Sequence, residues 1–289
     1  MFKRIISATV GVLLMIAVLF VSDEYKNLFN IVVSLLAAVS VGEIFIATKF
    51  VAHKPLTIAS IIFAGFIPFT TLPFVRPFAG VVIFIYVVFM LAVMLHKRKE
   101  IALRDISLLF MLTILIPFAF SILIRLRDLG LTPSMGYAKR DGVFLLVAAC
   151  CCSWLADTGA YFTGRFLGKH KLSPEISPKK TVEGFIGGVV FNVLGMWGLS
   201  ELYMLRAVSA GATVNVPLMM LIAFVAAFLG TLGDLSASYI KRSCQIKDFG
   251  NIMPGHGGVM DRFDSILLVA PFVYLVVTLT APYWPLIVR

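Results

Sequence analysis

Three aspartates at the ends of apolar runs, with a basic, glycine-rich stretch between them, are the residues of this chain best placed to do chemistry. From Gly233 to Ser265 the sequence reads GDLSASYIKRSCQIKDFGNIMPGHGGVMDRFDS. Asp234, Ser238 and Lys241 recur at i, i+4 and i+7 and so share one face of a helix. Asp261 and Asp264, three apart, share another face where the next apolar run opens. Between the two, the helical period is lost, and Gly250, Pro254, Gly255, Gly257 and Gly258 predict a loop with exposed backbone amides. Carboxylates supply hard oxygen ligands for Mg²⁺, which commonly binds through one or two of them plus substrate phosphates. Lys, Arg and glycine amides hold such phosphates and offset charge that develops during group transfer. The competing reading is a positively charged loop beside a membrane whose acids merely pair with its bases.

The elements that position these residues are membrane spans. The chain has 289 residues, 60% of them hydrophobic and only 14% charged, with a mean hydropathy of +0.98. That composition excludes an ordinary soluble domain. The runs are continuously apolar rather than alternating, which predicts helices and not a barrel. The fold class expected is therefore an all-α, polytopic integral membrane protein. About nine transmembrane helices are predicted, over 5–21, 28–47, 56–73, 78–95, 107–124, 142–163, 184–204, 216–239 and 264–282. Some 18 residues at about 1.5 Å each are enough for the hydrocarbon core. Residues 1–140 form an N-terminal region of about five spans, and 141–289 a C-terminal catalytic region of about four spans with two motif loops. The first run follows a basic start, as in a signal peptide, but it is long and no clear cleavage site follows, so it counts as a span.

Of 25 Lys and Arg, roughly two thirds fall in loops on the side of the N-terminus. The positive-inside rule then puts the N-terminus and both motif loops in the cytoplasm and the C-terminus outside. The segment 125–141, with Arg125, Arg127, Lys139 and Arg140, is the awkward part of this topology, and a short helix lying on the membrane would explain it. The net charge of +10 resides in short loops next to spans. It points to anionic membrane lipids and phosphate-bearing substrates, with no nucleic acid as partner.

Ionisable residues inside spans cost about 2.5 to 3.5 kcal/mol on insertion scales and so tend to face a protein interior or a watery cavity. Asp157 is such a residue, toward the cytoplasmic end of its span with Tyr161 and Gly164 on its face, and is read as a site residue. Glu43 is the other, read first as a carboxyl protonated or paired within the bundle and only second as a substrate contact. The loop GKHKLSPEISPKKTVEG, Gly168 to Gly184, carries Lys169, Lys171, Lys179, Lys180 and Thr181, groups able to meet a triphosphate. Its GRFLGKH is no Walker A, because three residues rather than four separate the glycines and His170 follows the lysine. Gly184, Gly187 and Gly188 allow close helix packing. Consecutive Cys150, Cys151 and Cys152 point in different directions on a helix and are packing residues. Cys244 is read as a free thiol, with no disulfide framework implied. Neither His170 nor His256 has a third group placed to complete a triad.

The run SYIKRSCQIKDFGNIMPGHGGVMDRFD, Ser238 to Asp264, resembles the signature of the phosphatidate cytidylyltransferases, or CDP-diacylglycerol synthases. The elements are Ser, two residues, Lys-Arg, four residues, Lys-Asp, then Pro-x-His-Gly-Gly and Asp-Arg-x-Asp. Met253 departs mildly, standing where the family more often carries Leu, Ile or Phe. DTGAYFTGRFLGKHKLSPEISPKKTVEGFIGG, Asp157 to Gly188, continues the resemblance, whereas residues 1–140 share only hydrophobic spans. The resemblance implies transfer of a cytidylyl group from CTP to phosphatidate, with pyrophosphate released, in phospholipid biosynthesis. It implies Mg²⁺ as cofactor, with room for a second cation, and a setting in a bacterial cytoplasmic (inner) membrane. Asp234, Lys241, Asp261, Arg262 and Asp264 are then the expected catalytic residues. Asp234 and Asp261 are the expected metal ligands, with Asp157 and Asp264 as further ligands or their supports. Lys179, Lys180, Thr181, Ser238, Arg242, Lys247, Asp248, His256, Gly257 and Gly258 are expected to bind substrate. A homodimer is admitted as an assembly.

Two other readings stay open on the sequence. A CTP-dependent lipid-alcohol kinase would also join a membrane bundle to nucleotide chemistry. An ion-coupled transporter could use Asp157, Glu43 and Asp234 as intramembrane ion sites, but it predicts related halves with interrupted helices, while the polar residues here crowd into the C-terminal half. A CDP-alcohol phosphotransferase is disfavoured by the absence of a D-G-x-x-A-R run.

Overall fold

A computed structural model describes residues 2–22, 25, 27–132, 136–207, 211–253 and 257–288, with side chains left undescribed for 2–10 and 12. Its helices are α1 (Phe2–Val21), α2 (Leu28–Ala47), α3 (Lys54–Phe66), α4 (Ala79–His96), α5 (Leu103–Asp128), α6 (Lys139–Leu167), α7 (Val182–Ala207), α8 (Val216–Ser243), α9 (Met260–Phe263) and α10 (Ile266–Thr280). Among the described residues, seven spans are long and apolar enough to cross a membrane, α2 to α8, with α3 counted together with the 3-10 turn Ile67–Thr71 that prolongs it. The expected first and last spans fall on α1, of 20 residues, and α10, of only 15. The chain is thus an all-α polytopic membrane protein. Two small antiparallel pairs interrupt it: β1 (Lys171–Ser173) with β2 (Ser177–Thr181), and β3 (Thr213–Val214) with β4 (Ile287–Val288).

The chain packs as two compact units, Met1–Ile124 with Cys244–Phe263, and Arg125–Ser243 with Asp264–Arg289. In the first, α2 buries Val33, Ala37, Val41 and Ile44 at helical spacing, while Ile31, Leu35 and Ile46 are exposed. Such an apolar outer face suits lipid, and packing must come from shape and polar contacts instead. One polar contact is a chain of hydroxyls. Ser60 of α3 and Tyr86 of α4 are 2.9 Å apart, and the Tyr86 hydroxyl donates to Thr113 Oγ1 of α5 at 2.8 Å. The Tyr86 ring stacks on Phe63 with centroids 3.8 Å apart. Only Tyr86 and Met90 of α4 are buried.

In the second unit, α6 and α7 cross where Gly159, Gly184 and Gly188 leave no room for a Cβ against the opposite backbone or Phe191, the small-residue contact that lets membrane helices approach. Asn192 Nδ2 ties α7 to the Ala223 carbonyl of α8 at 2.8 Å. The start of α6 is capped by Asp141, whose Oδ2 accepts from the Ala138 N–H at 2.6 Å and whose Oδ1 accepts from the Tyr203 hydroxyl. The expected surface helix within 125–141 is not found among the described residues. Instead α5 runs on to Asp128, with Arg127 Nε bonded to Asp128 Oδ1 at 2.7 Å, and a 3-10 turn follows at Leu129–Leu131. Helix continuation satisfies the backbone there while the long arginine stems cover apolar surface.

Candidate active site

The second unit gathers the acids. Asp157 comes from α6, Asp234, Ser238 and Lys241 from one face of α8, Lys180 from β2, and Asp264 with Ser265 from the turn before α10. Gly233 is why that turn can come so close to α8, since a Cβ there would lie 2.7 Å from the Asp264 carbonyl oxygen. Lys180 Nζ is 2.6 Å from Asp234 Oδ2, and Ser238 Oγ donates to Asp234 Oδ1 at 3.3 Å. Asp264 Oδ1 accepts from the Ser265 N–H at 2.8 Å. Ser265 Oγ lies 3.4 Å from Asp264 Oδ1 and 3.4 Å from Asp157 Oδ2, bridging the two acids. Ser238, Lys241, Asp264 and Ser265 are buried, Asp234 and Lys180 are half-buried, and Asp157 is exposed.

The buried Asp264 feels the charges of Asp234, Lys241 and Asp157. Three acids facing two lysines are an arrangement in which like charges raise each other's cost of ionisation. A divalent cation relieves that repulsion, so the donor set fits one chemically. Among the described residues, no three His, Cys, Asp or Glu side chains stand close enough together to hold a metal ion. Mg²⁺ asks for less, one or two carboxylates with substrate phosphates and water completing the shell.

The lysine loop is an ordered hairpin. Thr181 is buried and its Oγ1 accepts from the Gly184 N–H at 3.1 Å. Lys179 is exposed. Glu183 closes the base of the hairpin, accepting from the N–H of Lys169 at 3.0 Å and of His170 at 3.1 Å. Arg242 Nε reaches back to the Ile176 carbonyl at 3.4 Å.

The first unit holds the rest of the motif. Asp261 is buried, and its Oδ2 accepts from the N–H groups of Phe249 at 2.8 Å and Gly258 at 2.9 Å. The Gly258 amide, expected to face a phosphate, is therefore bonded within the loop. Gly257 has φ +83°, a conformation that favours glycine. Lys247, Asp248 and Arg262 are exposed. His256 lies outside the described residues.

Sequence reasoning did not single out Ser265, whose hydroxyl bridges two of the acids, or Gly233. The signal for both was adjacency: each directly neighbours an aspartate that had been singled out. Glu43 was noticed, but its partners were not. Its carboxylate accepts from the N–H groups of Val259 and Met260, both at 2.9 Å. Cys150 and Cys152 are buried, and all four cysteines are free thiols.

A helical membrane bundle with buried acids and lysines at its polar interruptions is the class that this geometry defines. The model of the cytidylyltransferase family matches residues 2–280. A phosphatidate cytidylyltransferase of Bacillus subtilis is 39% identical over 196 residues, 63% of this chain and 69% of that protein. One of Staphylococcus haemolyticus is 46% identical over 136 residues, and one of Staphylococcus aureus 42% over 133. These last alignments span 50% and 48% of the staphylococcal proteins. The chain belongs to the cytidylyltransferase family.

Proposed function

We propose that this protein is a phosphatidate cytidylyltransferase, a nucleotidyltransferase that converts CTP and phosphatidate to CDP-diacylglycerol and pyrophosphate. One observation carries the reading: Asp157, Asp234 and Asp264 converge with Lys180 and Lys241 in one unit of a membrane protein of the cytidylyltransferase family. In the reaction, a phosphate oxygen of phosphatidate attacks the α-phosphorus of CTP. That new P–O bond forms as the bond to the bridging α–β oxygen breaks, and pyrophosphate leaves with the electron pair. The nucleophile is already anionic, so no strong base is needed, and catalysis rests on positioning and charge neutralisation.

Mg²⁺ held by Asp234 and Asp264, with Asp157 beside them, would supply positive charge against the triphosphate. Lys180 and Lys241 add to it, and Ser265 orients the two acids it bridges. Asp261 is retained as a ligand on the strength of the motif, as are Arg242, Lys247 and Arg262 for the phosphates. The loop bias of Lys and Arg supports a cytoplasmic N-terminus and motif loops.

The test is conversion of phosphatidate by the purified protein in detergent, with and without Mg²⁺, beside Asp234→Asn and Asp264→Asn. CDP-lipid formation that needs Mg²⁺ and falls by roughly a hundredfold or more in folded variants supports the reading. CTP binding without conversion of phosphatidate, and phosphorylation of a polyprenol instead, would replace it with a lipid-alcohol kinase.

A further inference from the structure

Outside the acidic cluster, Glu43 is a buried acid with no part in the chemistry above. The Glu43 side chain, about one turn from the C-terminal end of α2, is 3% exposed. Both of its oxygens are used. Oε1 accepts from the Val259 N–H and Oε2 from the Met260 N–H. A Cβ on Gly250 or on Gly258 would collide with the same carboxylate, so the loop carries bare backbone at the two places where Glu43 needs room. The next amide back, that of Gly258, is bonded to Asp261 Oδ2 together with that of Phe249. Three consecutive amides, 258 to 260, thus each end on a carboxylate oxygen. Two acids hold the loop from either side, one on a rigid helix and the other within the loop itself.

Buried side chains of Phe249, Val259 and Met260 also pack this stretch. Between Ser243 and Met260 there is no helix among the described residues, and one backbone pairing, Met253 N–H to Gly257 O at 2.9 Å, closes the loop. Backbone bonds to a carboxylate are stronger than neutral ones. Glu43 is therefore a contact through which a long span sets the position of the residues around Asp261.

We propose that Glu43 is a positioning residue for cytidylyl transfer: it holds the backbone of Gly258–Met260, and with it Asp261 and Arg262, in the arrangement that the reaction uses. This rests on the function proposed above. Displacement of a reacting group by about 1 Å can cost some hundredfold in rate, so a carboxylate far from the chemistry in sequence can still govern turnover.

The experiment compares wild type with Glu43→Gln, Glu43→Asp, Gly258→Ala and Ser40→Ala. Ser40 lies on the same helix, and its buried Oγ has no hydrogen-bond partner among the described residues, so Ser40→Ala controls for a change in α2 itself. Each is purified in detergent and measured for kcat, for KM of CTP, for thermal midpoint, and for amide exchange over 249–263. Glu43→Gln keeps the shape but sets an NH₂ against a backbone N–H. The expected result is a kcat at least about tenfold lower at nearly unchanged KM and midpoint, with faster exchange in the loop. Glu43→Asp should fall in between, Gly258→Ala should reproduce the kcat loss from the loop side, and Ser40→Ala should match wild type. Faster exchange with unchanged kcat would make Glu43 a packing residue and overturn the proposal, as would unchanged exchange. If Glu43→Gln does not fold, Glu43→Asp and Gly258→Ala decide by the same criteria. Wild type that makes no CDP-lipid overturns the functional reading, whereas the exchange data still report whether Glu43 holds the loop.

Discussion

Lys180 of the hairpin and Asp234 of α8 form an ion pair of 2.6 Å, with side chains 24% and 27% exposed. A pair that open to solvent contributes only about 0–1 kcal/mol to stability, so its value lies elsewhere. It puts a cationic group against an acid proposed to meet the metal-bound triphosphate. Lys180→Met should raise KM for CTP roughly tenfold, the worth of one charge-assisted contact, and shift the thermal midpoint little. Lys180→Arg should recover part of the affinity. Steady-state kinetics with varied CTP check this, and an unchanged KM would remove Lys180 from the substrate.

Gly233→Ala tests how closely α8 must approach the Asp264–Ser265 turn. The added methyl would meet the backbone oxygen of Asp264 at 2.7 Å, and backbone yields less readily than a side chain. The turn should move by a few tenths of an ångström or more, with kcat falling about tenfold or further. Ala is the better helix former by about 1 kcal/mol, so any lost stability comes from the clash. Kinetics beside a thermal melt separate the two effects.

Tyr86→Phe removes the hydroxyl that links Ser60 and Thr113 but keeps the ring on Phe63. Hydrogen bonds between membrane helices average about 0.6 kcal/mol and reach about 1.7. A loss of that order is expected in an unfolding titration, with kcat unchanged, since none of the three residues lies among the acids.

The spans and the chemical groups were legible because each has a local signature. An apolar run long enough for the bilayer stands out by itself, and Asp157, Asp234 and Asp264 stand out because ionisable groups there are costly. Pairings across the fold have no such signature. Nothing in the neighbourhood of Glu43 points to Val259, and nothing near Ser265 points to Asp157. The β1–β2 hairpin escaped notice because strands of 3 and 5 residues rich in Lys, Ser and Pro show no alternation. Helix α5 was expected to end before Arg125, since charge normally marks the edge of a span, but both arginines lie in its last turn.

Helix α4 is attached to its unit by very little: Tyr86 and Met90 face inward, and Phe84, Ile85, Val88, Leu91 and Leu95 are exposed. It is therefore the natural place for a reporter. A spin label or fluorophore at Val88 or Leu91 would sit in the lipid and sense bilayer composition and thickness around the working protein, leaving the acids undisturbed.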